Sequence, residues 1–227
     1  MLLGGLQKTT LLDYPDKIAC IVFTKGCNFS CGYCHNPELF EKETPTVDLS
    51  EFLNFLDKRV GKLDAVVVTG GEPTLHKDLP EFIKRIKDKG FLVKLDTNGT
   101  NFEMLKSLID ANLLDYVAMD IKAPIDKYEK IVRTNVNIES VKNSIEFLKT
   151  NVVDYEFRTT VVKSQLSFED FEQIADLING APKYYLQKFQ ATKILDETLM
   201  NETTYTDEEF TPIVEMLKQK IKFVEVR

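Results

Sequence analysis

The residue pattern of this chain predicts an α/β fold with parallel strands, arranged as an open, partial (β/α)6 barrel. Short, continuously apolar runs alternate with amphipathic stretches that start at capping residues. That is the rhythm of strands covered on both faces and joined by right-handed crossovers. The chain has 227 residues, whereas a complete eight-fold barrel typically needs about 250. A doubly wound sheet is the other arrangement the alternation allows. Both arrangements gather functional residues just after the C-terminal ends of strands, and the chemically unusual residues of this sequence fall there.

The first run, Ile18–Thr24, leads into a cluster of cysteines. Asp48-x-x-Glu51 then has the form of a capping box, followed by Leu49, Phe52, Leu53, Leu56 and Val60 on one helical face and Gly61 as a stop. Ala65–Val68 is the second strand, with Gly70-Gly71-Glu72-Pro73 after it. Asp78-x-x-Glu81 opens a helix carrying Leu79, Phe82, Ile83 and Ile86, closed by Gly90. Phe91–Leu95 leads to Asp96-Thr97-Asn98-Gly99, and Asn101 caps Phe102–Ala111. Tyr116–Met119 leads to Asp120-Ile121-Lys122, and Asn137 caps a helix with Ile138, Val141, Ile145 and Leu148. Tyr155–Val162 and Tyr184–Phe189 are the remaining strands, and Ser167-x-x-Asp170 and Thr206-x-x-Glu209 begin the last two helices. With no repeat and no Gly-, Ser- or Pro-rich linker, residues 1–227 read as one domain.

Composition narrows the function. With 29 Lys+Arg against 36 Asp+Glu, the net charge of −7 argues against a chain built mainly to grip nucleic acid. No apolar stretch approaches the roughly 20 residues of a membrane span. The amino terminus lacks the charged region and long apolar core of a signal peptide, so the expected location is the cytoplasm, where thiols stay reduced. Four cysteines are too few for a disulfide scaffold at this size.

Three of those cysteines, Cys27, Cys31 and Cys34, follow the spacing C-x3-C-x2-C. Thiolates are soft ligands suited to zinc or iron–sulfur clusters. A structural zinc site normally needs four protein ligands. His35 adjoins Cys34 too closely to share its ion, and Cys20 lies mid-strand, where a free cysteine packs as a small hydrophobe. Three thiolates on a cubane leave one iron open, as a catalytic metal site requires. A zinc knuckle and a Cys31-x-x-Cys34 dithiol are the competing readings; the dithiol leaves Cys27 without a role.

This loop, with Tyr33 before its last cysteine, resembles the signature of the radical S-adenosylmethionine (SAM) enzymes. Gly70-Gly71-Glu72-Pro73, Asp96-Thr97-Asn98-Gly99 and Met119-Asp120-Ile121-Lys122 resemble the later motifs of that superfamily. Cys34-His35-Asn36-Pro37, Asp13-Tyr14-Pro15 and Met119–Pro124 look like the glycyl-radical-enzyme activases. Among these the chain is most similar to the activating proteins of anaerobic ribonucleoside-triphosphate reductases. The resemblance implies a [4Fe-4S] cluster on Cys27, Cys31 and Cys34, with SAM on the fourth iron. One electron, from a flavodoxin- or ferredoxin-type donor, would split the sulfonium bond. The resulting 5′-deoxyadenosyl radical would take the α-hydrogen of a glycine on the partner enzyme. The cofactor carries the radical, so no side chain is assigned as catalytic.

By the same resemblance Tyr33 lies against adenine, and the backbone from Tyr33 through Cys34 to His35 meets the adenine edge. Gly70 and Gly71 let the backbone approach the methionine end, and Glu72 either accepts from the cofactor ammonium or buttresses the turn. Asp96, Thr97 and Asp120 match positions that hold a monovalent cation in pyruvate formate-lyase activases, while Asn98 also suits plain turn chemistry. Lys122 would neutralise the cofactor carboxylate. Arg158, inside a strand, lines the mouth or pairs with a buried acid. Gln190 stands nearest to where those activases carry a histidine. Asp13 matches an acid facing the partner's glycine loop. His76 and the Lys84-Arg85-x-Lys87-x-Lys89 run read as surface. Activases with extra ferredoxin-like clusters are excluded because only Cys20 is left over. An activase of pyruvate formate-lyase is a close variant. A small-molecule enzyme such as a deazapurine synthase is a second class, and a zinc or electron-transfer module a third.

Overall fold

The computed structural model describes residues 1–40 and 46–227. One eight-stranded sheet runs in the order of the chain, from β1 (Leu3–Thr10) through β2 (Ala19–Thr24), β3 (Ala65–Gly70), β4 (Leu92–Thr97), β5 (Tyr116–Asp120), β6 (Asp154–Val161) and β7 (Tyr184–Lys188) to β8 (Val224–Val226). From β2 onward each pair is parallel, and β1 lies antiparallel on β2 as an edge. The helices are α1 (Leu49–Asp57), α2 (Leu79–Lys87), α3 (Phe102–Asp110), α4 (Tyr128–Val132), α5 (Ile138–Lys149), α6 (Phe168–Leu177) and α7 (Asp207–Leu217). This is the open, partial barrel expected, with its six central strands at the expected places.

Alternation along each strand divides the core in two. Cys20, Val22, Val66 and Val68 face the large core under the helices, which also takes Phe52 of α1 and Phe82 of α2, their rings 5.6 Å apart. Their neighbours Ile21, Ala65 and Val67 form a small second core with Tyr14 and Tyr116. Cys20 is fully buried in the large core, as expected. Further along, the face of the second core turns polar, with Lys94 and Asp96 on β4, Asp120 on β5 and Arg158 on β6.

Several boundaries differ from the sequence reading. β1 carries two glycines and a polar half, and β8 has three residues, so neither shows an apolar run. α1 ends at Asp57, and Val60, expected on its buried face, is exposed. Asp78 makes no cap bond to α2; its carboxylate takes the Met1 amino group instead. Asn101, Asn137 and Thr206 cap as expected, each accepting from a first-turn amide. No helix among the described residues is long and apolar enough to cross a membrane.

Candidate active site

The loops after β2, β3, β4 and β5 converge on one cavity at the C-terminal ends of the strands. Cys27, Cys31 and Cys34 line it, with Tyr33 and His35 from the same loop. Gly70, Gly71 and Glu72 enter from β3, and Asp96, Thr97 and Asn98 from β4. Asp120 and Lys122 follow β5, and Arg158 projects from β6. Every residue expected to bind cluster or cofactor therefore shares this space. Asn36 of the Cys34–Pro37 run lines it too, as do Phe29, Phe40, Thr69 and Thr160, to which sequence reasoning assigns no role.

The cysteine loop is held on three sides. Ser30 N–H donates to Val132 O at the end of α4, and the Thr134 hydroxyl donates to Asn28 O. Asn98 Nδ2 donates to Asn28 Oδ1 at 2.9 Å, while Asn98 Oδ1 accepts from the Thr100 amide and hydroxyl. Asn98 thus does turn and bracing work. On the third side the segment after β7 reaches back: Leu195 N–H donates to Cys34 O at 3.1 Å and Asp196 N–H to Gly32 O at 2.9 Å. His35 Nε2 lies 2.7 Å from Gln190 O, so the position lacking the activase histidine is met by a histidine from the cysteine loop.

Both glycines after β3 are required by close approach. Gly70 adopts φ +121°, and a Cβ there would lie 2.3 Å from Thr24 N. A Cβ on Gly71 would lie 1.9 Å from Gly26 O, in the cysteine loop itself. Glu72 Oε1 accepts from Thr74 N at 3.0 Å, Thr74 Oγ1 at 2.5 Å and Thr97 Oγ1 at 2.8 Å, and Oε2 accepts from Asn98 N at 2.7 Å. Only 1% of it is exposed. It buttresses the β3 and β4 loops while standing in the lining of the cavity. Burial raises its pKa against those bonds.

Asp96, Asp120, Lys122 and Arg158 of the cavity lining form a chain of alternating charge with Lys94, which is buried beneath it. Lys94 Nζ donates to Asp96 Oδ1 at 2.7 Å, and Arg158 Nη1 to Asp96 Oδ2 at 3.1 Å. Arg158 Nε donates to Asp120 Oδ1 and Lys122 Nζ to Asp120 Oδ2, both at 2.9 Å. Arg158 thus both lines the mouth and pairs with buried acids. Burial alone would raise the Asp120 pKa, but Arg158 and Lys122 outweigh it and hold it down at about 2. Burial likewise works against Asp96, and Arg158 and Lys94 keep its pKa below the usual carboxylate value. Lys122 is pushed the other way by burial, yet Asp120 holds its pKa well above the ordinary lysine value. The monovalent cation implied for Asp96, Thr97 and Asp120 meets carboxylates whose four oxygens already carry cationic donors. The Thr97 hydroxyl, spent on Glu72, also accepts from Gly99 N.

Three other expectations need correction. Asp13 sits in the hairpin between β1 and β2, where it takes the Thr10 hydroxyl. Thr10 pairs with Ala19 at the start of β2, so this hairpin is at the end of the barrel opposite the cavity. His76 is half-buried, its Nε2 2.9 Å from Lys25 O. The basic run on α2 is more than a solvated face: Lys84 pairs with Asp88, Lys87 with Asp115 at 2.6 Å, and Lys89 with Asp57.

The residues fit an iron–sulfur cluster. Burial pushes the Cys27 thiol up to about 12 and raises the Cys31 thiol as well, so these donors would become thiolates only as a metal group binds them and their protons are released to solvent. Phe29 N–H already points to Cys27 Sγ at 3.4 Å. The Tyr33 hydroxyl is buried beside the Cys31 thiol.

Comparison with known proteins agrees. Residues 21–178 match the Radical SAM superfamily. A protein of Methanocaldococcus jannaschii named as a glycyl-radical enzyme activating enzyme is 36% identical over 231 residues, covering 100% of this chain and 95% of that one. A second so named from the same organism is 29% identical over 78% of this chain and 68% of its own. The solved structure of SuiB from Streptococcus suis, bound to the precursor peptide SuiA, superposes with a TM-score of 0.70 at 13% identity. That alignment covers 91% of this chain and 48% of that one, so this chain spans about half of SuiB and the likeness is one of fold. The chain belongs to the radical SAM superfamily and, within it, to the glycyl-radical enzyme activating enzymes, with a [4Fe-4S] cluster and SAM as its cofactors.

Proposed function

We propose that this protein installs a glycyl radical on an anaerobic ribonucleoside-triphosphate reductase. The observation that carries the reading is the one cavity into which all three motif cysteines and the loops after β3, β4 and β5 open. Cys27, Cys31 and Cys34 would hold the cluster, whose one-electron reduction of the bound SAM sulfonium supplies the hydrogen-abstracting radical. Around it the chain positions and shields. Gly70 and Gly71 bring backbone N–H and C=O groups to the methionine end without an intervening Cβ. Arg158 and Lys122, both in the lining of the cavity, would face the cofactor carboxylate. Tyr33 and Phe29, both buried, close the cysteine loop against water.

A glycyl radical enzyme is favoured as partner by the Cys34-His35-Asn36-Pro37 and Asp120-Ile121-Lys122-Ala123-Pro124 runs, which look like the activases rather than the small-molecule enzymes, and the overall likeness to the reductase activating proteins favours the reductase among them. The electron donor is a flavodoxin- or ferredoxin-type protein, the location is cytoplasmic, and residues 1–227 act as one radical SAM domain. The test is anaerobic mixing of the reconstituted protein, SAM and reductant with either the reductase or pyruvate formate-lyase. A glycyl doublet in electron paramagnetic resonance with the reductase is expected. A doublet with the lyase alone would reassign the partner. SAM cleavage with a doublet from neither would favour a small-molecule substrate.

A further inference from the structure

We infer that Lys94, buried beneath the cofactor cavity and reaching it through Asp96, is a built-in cation of the site, and that this protein binds SAM without the free monovalent ion that its likeness to pyruvate formate-lyase activases implies. The inference rests on the SAM-binding reading of the cavity and concerns how the cavity balances its charge.

Lys94 lies within β4, two residues before Asp96 and on the same face. Its side chain is only 2% exposed and among the largest fully buried in the protein. An ammonium group so placed needs a partner, and Asp96 Oδ1 at 2.7 Å provides it. Asp96 Oδ2 and Asp120 Oδ1 are both claimed by Arg158, and Asp120 Oδ2 by Lys122. A sodium or potassium ion between the two aspartates would have to share oxygens that each already accept from a cationic donor, and would sit among three fixed positive charges. Thr97 offers no substitute, since its hydroxyl is committed to Glu72 and the Gly99 amide.

The charge count explains why no ion is needed. Lys94, Arg158 and Lys122 stand against Asp96 and Asp120, so the hydrogen-bonded chain carries one surplus positive charge. A free cation beside two otherwise unpaired aspartates would reach that state only by binding more than one extra charge. Here the strand supplies it covalently, at a fixed position, and the cofactor carboxylate completes neutrality. Replacing Lys94 removes the surplus and frees Asp96 Oδ1, which converts the cavity into a place where a monovalent ion can bind.

The test compares SAM affinity of the full-length, cluster-loaded protein in potassium, sodium and choline chloride at equal ionic strength. Alongside it, thallium(I) binding to the protein with and without cluster is followed by thallium resonance. For the wild type we expect SAM affinity within about twofold across the salts and no stoichiometric thallium site. Lys94→Met is expected to bind SAM roughly tenfold more weakly in choline and to gain one thallium site. A wild-type affinity that rises severalfold from choline to potassium, or a stoichiometric wild-type thallium site, would overturn the inference. So would a folded Lys94→Met variant that binds SAM as tightly as wild type in choline. If Lys94→Met does not fold, the wild-type salt series and thallium titration decide the matter alone. Failure of the SAM reading itself would appear differently, as no SAM binding in any salt, and the thallium result does not depend on it.

Discussion

Asp120 shows how a single residue couples the site to the fold. Its folded-state pKa of about 2 lies below the ordinary value of 3.8, so its pairing with Arg158 and Lys122 contributes stability that is fully present above about pH 4. That contribution is lost as pH falls through the folded pKa, because the unfolded chain takes up the proton first. The difference corresponds to about 2 kcal/mol. Urea unfolding of the wild type between pH 5 and pH 2 is expected to show this loss, and Asp120→Asn to flatten the profile over the same window while starting from lower stability. An unchanged slope in the variant would mean that other carboxylates carry the acid sensitivity. The cysteines, glycines and aspartates of this site were legible in the sequence because each type announces its chemistry after a strand. Lys94 was not, because inside the run Phe91–Leu95 it reads as an interruption of an apolar strand. Only its pairing across the sheet face gives it a role.

At the scale of elements, the site depends on how closely the β2 and β3 loops approach. Gly71 N–H donates to Thr24 O at 2.9 Å and Glu72 N–H to Gly26 O at 2.8 Å, so the two loops are laced together by backbone. A methyl group on Gly71 would collide with the Gly26 carbonyl at 1.9 Å, and neither side of that contact is a flexible side chain. Gly71→Ala is expected to fold at a loss of about 1–3 kcal/mol and to bind less iron per chain after reconstitution, because Cys27 adjoins the displaced carbonyl. Full iron content in a folded Gly71→Ala protein would show that the loops can separate without harm to the cluster. The main elements were legible because apolar runs and caps agree with one another. β1 and β8 were missed for a physical reason: an edge strand pairs on one side only and can be polar or very short. Asp78 misled for another, since a competing charge captured the carboxylate that would have capped α2.

Across the whole molecule, the parallel order explains why motifs far apart in sequence form one site, and that much followed from the strand–helix alternation alone. What the alternation does not show is how an open sheet keeps its first and last units together. The structure answers with the segment after β7, whose Leu195 and Asp196 amides bond to the cysteine loop. Arg133, at the end of α4, pairs with Asp196 at 2.5 Å and packs on Gly32. The segment closes over the cluster loop from the far end of the chain. Its ion pair is partly exposed and so contributes little to global stability, but it stands where local opening would expose the cluster. Asp196→Ala is therefore expected to leave Tm nearly unchanged while iron is extracted severalfold faster by an anaerobic chelator. An equal fall in Tm and in cluster retention would indicate general destabilisation instead. An unchanged extraction rate would show that the two backbone bonds hold the loop without Arg133. The expected split, with cluster lability rising while global stability holds, follows from a barrel left open on one side and latched there by a few contacts.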